Sequence, residues 1–253
     1  MKKLRLGEFE RNSLVVFAIT MIANVLSYLY QIVMGNVLTP ADYGTVNTLL
    51  SLSVVVGVPS GIISALTATY TAKYHAHGET FAIAAFMHGM LRVAAVLAAI
   101  VFVAGALLSR PIAHVLQIDD PHYVTVVMVL VASNCLGPVF SSTLQGVKRF
   151  IPYSMNSVLS FAFRLLLGVF FVWLGWGIPG ALAALILAAC LTMLYCLFKS
   201  QDLFFAPVKE KLALDRTEIR RYFVSTFWFQ MFLLLMANGD VLLIKTFAAD
   251  PAE

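Results

Sequence analysis

The sequence predicts an all-α polytopic membrane protein of about seven transmembrane helices, read as a six-helix lobe followed by the first helix of a second lobe. Three observations carry this reading. Hydrophobic residues make up 60% of the chain and charged residues only 12%, against roughly 25% charged in a soluble domain. Mean hydropathy is +0.88. Uncharged runs of about 20 residues, the length that crosses a bilayer, recur along the whole chain and leave no water-soluble domain between them.

The spans read in order are Leu14–Val33, Val46–Tyr70, Phe81–Leu108, Tyr123–Gln145, Pro152–Leu174, Ile178–Phe198 and Tyr222–Phe247. Lys2, Lys3 and Arg5 precede the first as they would a signal peptide, but that run is too long for an h-region and has no small-residue cleavage site. It is read as an uncleaved helix. The fifth and sixth are separated by length: from Leu165 the uncharged run of 34 residues reaches Phe198, roughly 51 Å as a helix, too long for a core of about 30 Å. Gly175, Gly177, Pro179 and Gly180 supply the turn, and Trp173 and Trp176 flank it as an interfacial belt.

Charge sets the expected orientation. With a cytoplasmic N-terminus, thirteen Lys and Arg residues fall on the cytoplasmic side; Arg110 and Lys245 fall on the other, and Arg92 and Arg164 lie within spans. That asymmetry follows the positive-inside rule, so the basic balance reflects topology and anionic headgroups rather than nucleic acid. Cys135, Cys190 and Cys196 all lie in spans and read as apolar packing residues.

Domain boundaries are expected at 1–198 for the six-helix lobe, 199–221 for a connector and 222–253 for the opening helix of a second lobe. The connector contains Pro207, alternating charges, and a capping-box spacing from Asp215 to Glu218. It reads either as an amphipathic surface segment or as a solvated loop. The exits of the first and seventh helices both run into a Pro/acidic turn, an echo that suggests parallel repeats. Six helices plus one suggests the front part of a longer protein.

The chemistry-bearing candidates are polar faces inside spans. Arg164 sits near the middle of its span, where a charge costs somewhere between about 2.5 and 17 kcal/mol and is expected to face a cavity or a partner. Asn156 and Ser160 precede it on the same helical face. The first helix carries Asn24, Tyr28 and Gln31 at helical spacing. These stripes are read as the walls of a water-filled cavity, against the alternative of helix-packing glue. Arg92 either lines the same cavity or snorkels to the interface, and His88, one turn away, shares its surroundings or is structural. Gly57, Pro59 and Gly61 mark a kink in the second span. Asp240 is the one acid inside a span; it would bind a coupling cation or pair with an arginine. There is no nucleophile elbow, phosphate loop or metal-ligand spacing, so an enzyme is not expected and no cofactor is called for.

Two segments carry a resemblance. Leu38–Gly44 (LTPADYG), after a polar first helix, resembles the LGPEDYG turn of polysaccharide flippases, which share a superfamily with multidrug and toxin extruders and lipid II flippases. Asn238–Ile244 (NGDVLLI) followed by Asp250–Glu253 (DPAE) resembles the helix-seven exit of the same family. The arginine that the family often carries before the first turn is replaced here by Gly35, Asn36 and Val37. The resemblance implies a V-shaped bundle of two six-helix lobes around a cationic cavity. Such a bundle moves polyprenyl-diphosphate-linked oligosaccharide across the bacterial inner membrane by alternating access. It further implies that Arg164 and Arg92 hold the diphosphate, that H⁺ or Na⁺ drives the cycle, and that membrane lipids and a polysaccharide polymerase are partners. The alternatives are a cation-coupled multidrug exporter of the same superfamily, in which Asp240 would dominate, and a non-transporting fragment.

Overall fold

The computed structural model describes residues 2–118, 120–206, 223–230 and 232, with side chains from Ser13 onward. It divides into two compact units, Met1–Leu212 and Ala213–Glu253. In the second, residues 223–230 are helical. The remainder of the expected seventh span, Asp240 and most of the expected connector lie outside the described residues.

Among the described residues the regular structure of the first unit is helical: α1 (Lys2–Val37), α2 (Pro40–Val56), α3 (Val58–Ala76), α4 (Thr80–Leu107), α5 (Ser109–Val115), α6 (Pro121–Gly146), α7 (Phe150–Trp173), α8 (Gly177–Lys199) and α9 (Gln201–Phe204). Among the described residues five helices are long and apolar enough to cross a membrane, or six when α2 and α3 count as one broken span. The chain is a multi-pass membrane protein.

Local chemistry explains the ends. Thr39 is extended, and its hydroxyl oxygen accepts from the Asp42 N–H at 3.2 Å. Pro40 fills the first turn, where no N–H is needed, and Asp42 meets the positive helix end. The LTPADYG segment is therefore a helix-starting device that turns the chain back after α1, with Leu38 buried beneath it. Asp120 and Pro121 repeat the arrangement at α6, where Asp120 accepts from the His122 N–H at 2.9 Å. The break between α7 and α8 falls at Leu174–Trp176, and Gly175 takes φ +82°, a left-handed conformation costly for side chains with a Cβ. The expected kink in the second span is a full break: α2 and α3 meet at Gly57 at an angle of 48°. The short α5, about two turns long and following α4 directly, was not anticipated.

Helix α6 is the hub. It packs against α3, α4 and α8, and less extensively against α2, α5 and α7, while α7 lies between α1 and α8. Ser64 on α3 and Ser142 on α6 share a hydrogen bond of 2.7 Å. Two apolar clusters form along the hub. One gathers Tyr30, Met34, Leu38, Leu49, Val127 and Leu185, and the other gathers Ile83, Met87, Phe140, Leu144, Cys196 and Leu203.

Candidate functional site

Between these clusters lies a cavity of about 550 Å³. Its walls come from α2 and the start of α3 (Ser53, Gly57, Ser60), α6 (Ser133, Asn134, Pro138, Ser141), α7 (Asn156, Ser160, Arg164) and α8 (Ala189, Thr192, Met193). The broken span and the proline-bearing hub both open toward it. Pro138 has no N–H to offer the Asn134 carbonyl four residues earlier, so main-chain as well as side-chain polarity is released where α6 lines the cavity. Ser53, Ser60, Ser133 and Thr192 donate their hydroxyl hydrogens back to carbonyls of their own helices at 2.6 to 2.9 Å. Their remaining capacity is to accept. Asn134, Ser141, Asn156 and Ser160 have no such internal partner among the described residues.

Arg164 is the one charged residue on this wall among the described residues. Nine residues from the end of α7, it sits about 14 Å deep along the helix. Its guanidinium lies 5.4 Å from the Phe161 ring centroid, a cation–π contact, and its Nε is buried with no hydrogen-bond partner among the described residues. A buried donor nitrogen left unpaired is costly. The wall supplies amide and hydroxyl groups, but among the described residues no carboxylate.

The structure brings Arg164, Asn156 and Ser160 together on the cavity and leaves Asn24, Tyr28, Gln31 and Arg92 elsewhere, Asp240 lying outside the described residues. Asn24, Tyr28 and Gln31 lie on the exposed side of α1, Tyr28 being 65% exposed. The buried side of α1 is formed by Ala23, Tyr30 and Met34, which pack toward α7. Arg92 is exposed and does not line the cavity. Helix α4 buries Met87, Met90, Ala94 and Ala98, and a residue two positions from Met90 and from Ala94 points the opposite way. His88 also lies off the cavity, stacked on Phe204 with ring centroids 4.5 Å apart and its Nδ1 2.8 Å from the Ala84 carbonyl. Helix α6 adds Asn134, Pro138 and Ser141, polar and proline positions of the fourth expected span, to the wall. Sequence reasoning missed Tyr30, whose buried hydroxyl has no partner among the described residues.

A family model described as "Polysaccharide biosynthesis protein" matches residues 9–252. No curated protein matches. Among solved structures, a MATE in complex with Br-NRF is similar at 14% identity and a TM-score of 0.70, over 89% of this chain and 54% of its own. The Vibrio cholerae MATE transporter VcmN in its bent form has 15% identity and a TM-score of 0.70, over 94% and 58%. A MOP superfamily transporter from Pyrococcus furiosus, in which a reversed polarity of the binding pocket suggests a different function, has 16% identity and a TM-score of 0.66, over 87% and 52%. At these identities the likeness establishes the fold. The chain spans about half the length of these structures.

Proposed function

We propose, from the premise that this chain belongs to the polysaccharide biosynthesis protein family, that it takes part in moving polyprenyl-diphosphate-linked oligosaccharide across the bacterial inner membrane. The observation that carries the reading is Arg164, a mid-membrane guanidinium facing a cavity whose described wall holds no acid. Guanidinium pairs with phosphate oxygens through two parallel N–H donors. A diphosphate would supply the negative charge this wall lacks. At about 550 Å³ the cavity is within the range of small-ligand sites, roughly 300 to 1,000 Å³, enough for a diphosphate and the adjoining sugar but not for a whole oligosaccharide. Hydroxyl and amide groups from α6 and α7 would meet that sugar.

The exposed stripe of Asn24, Tyr28 and Gln31 belongs to the same path in this reading. Amides left against hydrocarbon are costly, so that side of α1 is assigned to water and to the glycan. The N-terminus is placed in the cytoplasm by the excess of Lys and Arg on that side, and alternating access would be driven by an ion gradient. Export of cationic drugs, as in the extruder branch, calls for an acidic cavity and is disfavoured by Arg164.

The test is complementation. The full-length protein is produced in a bacterial strain lacking its own surface-polysaccharide flippase, and surface glycan is measured beside membrane protein abundance. Restored glycan supports the reading. Normal abundance without glycan, in strains spanning several glycan types, overturns it. In a cysteine-free background, single cysteines at His77 and Lys148 should react with an impermeant reagent only from the cytoplasmic side, and one at Gln117 only from outside.

A further inference from the structure

Arg92 is a full charge near the middle of a spanning helix, and the cavity does not account for it. It stands about 18 Å along α4 from Thr80. It is exposed, and it has no hydrogen-bond or ion-pair partner among the described residues. Helix α4 also lies away from the cavity. Met128 on α6 meets α4 at Gly105, whereas α6 lines the cavity with Leu130, Asn134, Gly137 and Ser141. Leu130 is two positions from Met128, a rotation of about 200°, so the two surfaces are on opposite sides of the hub. No residue of α4 is on the cavity wall.

The row on which Arg92 sits has a graded chemistry. Toward Leu107 it continues at helical spacing into Val96, Ile100 and Val103, with Val93 beside it, all exposed. Toward Thr80 the preceding turn carries His88, whose ring stacks on Phe204. Phe205 follows, its ring 5.2 Å from that of Phe204, and is 74% exposed. Rings are followed by a cation and then by bare aliphatic side chains. That is the order of the interface, the phosphate level and the acyl chains in one leaflet. Each Cα–Cβ bond of a helix tilts toward its N-terminal end, so Arg92 reaches back toward the end at which α9 docks. A guanidinium that reaches an interface keeps its stem in hydrocarbon and its charge among headgroups.

We propose that this face of α4 binds an anionic phospholipid of that leaflet, its phosphate on the Arg92 guanidinium and its acyl chains along Val93, Val96 and Ile100. Charge complementarity names the occupant. Guanidinium pairs with phosphate oxygens through two donors, and among the described residues no carboxylate neutralises Arg92. A zwitterionic lipid brings an ammonium group to the same place, whereas phosphatidylglycerol brings net negative charge and hydroxyls. The site is separate from the cargo cavity and stands whatever the cargo is.

The test uses the full-length protein in nanodiscs, in a cysteine-free background with a fluorophore on Val96→Cys, one turn from Arg92. Phosphatidylglycerol or phosphatidylcholine with brominated acyl chains serves as the quencher. Brominated phosphatidylglycerol should quench at about fivefold lower mole fraction, the weight of one cation near charged headgroups. Arg92→Leu should remove that preference, while Arg110→Leu, on a different helix, keeps it. Because Arg92→Leu takes an unpartnered charge off an apolar surface, its melting temperature in phosphatidylcholine should equal or exceed that of the parent. Equal quenching by the two lipids in the parent, or a preference that survives Arg92→Leu, overturns the proposal. So does relief of the quenching by soluble glycerol 3-phosphate, which would assign a free phosphate. A fall in the melting temperature of Arg92→Leu in phosphatidylcholine would make Arg92 the partner of another protein segment, and it overturns the proposal as well.

Discussion

Arg149, at the start of α7, holds Asp202 on α9 with both terminal nitrogens of its guanidinium, and one of these also donates to the Lys199 carbonyl at 2.9 Å. The pair fastens the end of α8 to the start of α7. On the other side of α9, Phe204 stacks on His88 and meets Phe140 edge-on, and Leu203 is buried. The first turn after the last span of this unit is thus docked onto the ends of four helices, where the sequence alone suggested only a connector.

The hydrogen bonds from Arg149 hold the Asp202 carboxyl below its usual range, and the same bond raises Arg149. A depressed carboxylate stabilises the fold above its unfolded value, about 3.9, and that contribution disappears as pH falls through the lower, folded value. Both side chains are substantially exposed, at 40% and 51%, so the effect at neutral pH is small, about 0.2 to 1 kcal/mol. Asp202→Asn should speed amide hydrogen exchange in 201–204 at pH 7 without a large drop in melting temperature. It should also abolish the loss of protection on acidification, read as the ratio of observed to intrinsic exchange rates. Unchanged exchange would mean that α9 is held by its apolar contacts alone.

Two glycines should respond differently to the same substitution. A Cβ on Gly146 would come 2.7 Å from Thr71 Cβ and 2.9 Å from the Ala68 carbonyl oxygen, whereas on Gly168 its nearest contact is the flexible tip of Met34. Gly146→Ala should therefore destabilise by about 1 to 3 kcal/mol through overpacking of the α3–α6 seam. Gly168→Ala should fall below that, because Met34 can rotate away. Thermal unfolding in detergent reads the difference, and equal losses would contradict it.

The Ser64–Ser142 hydrogen bond crosses the same seam, with Ser142 1% exposed. Hydrogen bonds between membrane helices average about 0.6 kcal/mol in double-mutant cycles. Ser64→Ala, Ser142→Ala and the double variant should give a coupling of that size. A coupling of zero would make the pair incidental to packing.

The length of the apolar runs and the turn chemistry were readable in advance, because both are written in consecutive residues. The span expected at Pro152–Leu174 is α7 at Phe150–Trp173, and Gly175 makes the turn for the reason its residue type implied. The face of a helix was readable only up to a rotation. Spacing put Asn24, Tyr28 and Gln31 together, and Asn156, Ser160 and Arg164 together, but direction depends on neighbours that spacing does not encode. Met34 turned α1 one way by fitting the notch at Gly168, and the alanine- and methionine-rich side of α4 turned Arg92 outward. Asn134, Pro138 and Ser141 gain their place on the wall because α6 is the hub, and that is a property of the whole packing.

The account stands on Arg164 as the group that meets the cargo's charge. The most direct measurement is surface glycan in the flippase-deficient strain carrying wild type, Arg164→Lys or Arg164→Ala, each normalised to membrane abundance. The account predicts that Arg164→Ala abolishes glycan at normal abundance, and that Arg164→Lys retains only part, since an ammonium keeps the charge but not the bidentate geometry. Wild-type glycan from Arg164→Ala would contradict it and leave the guanidinium a structural element of α7.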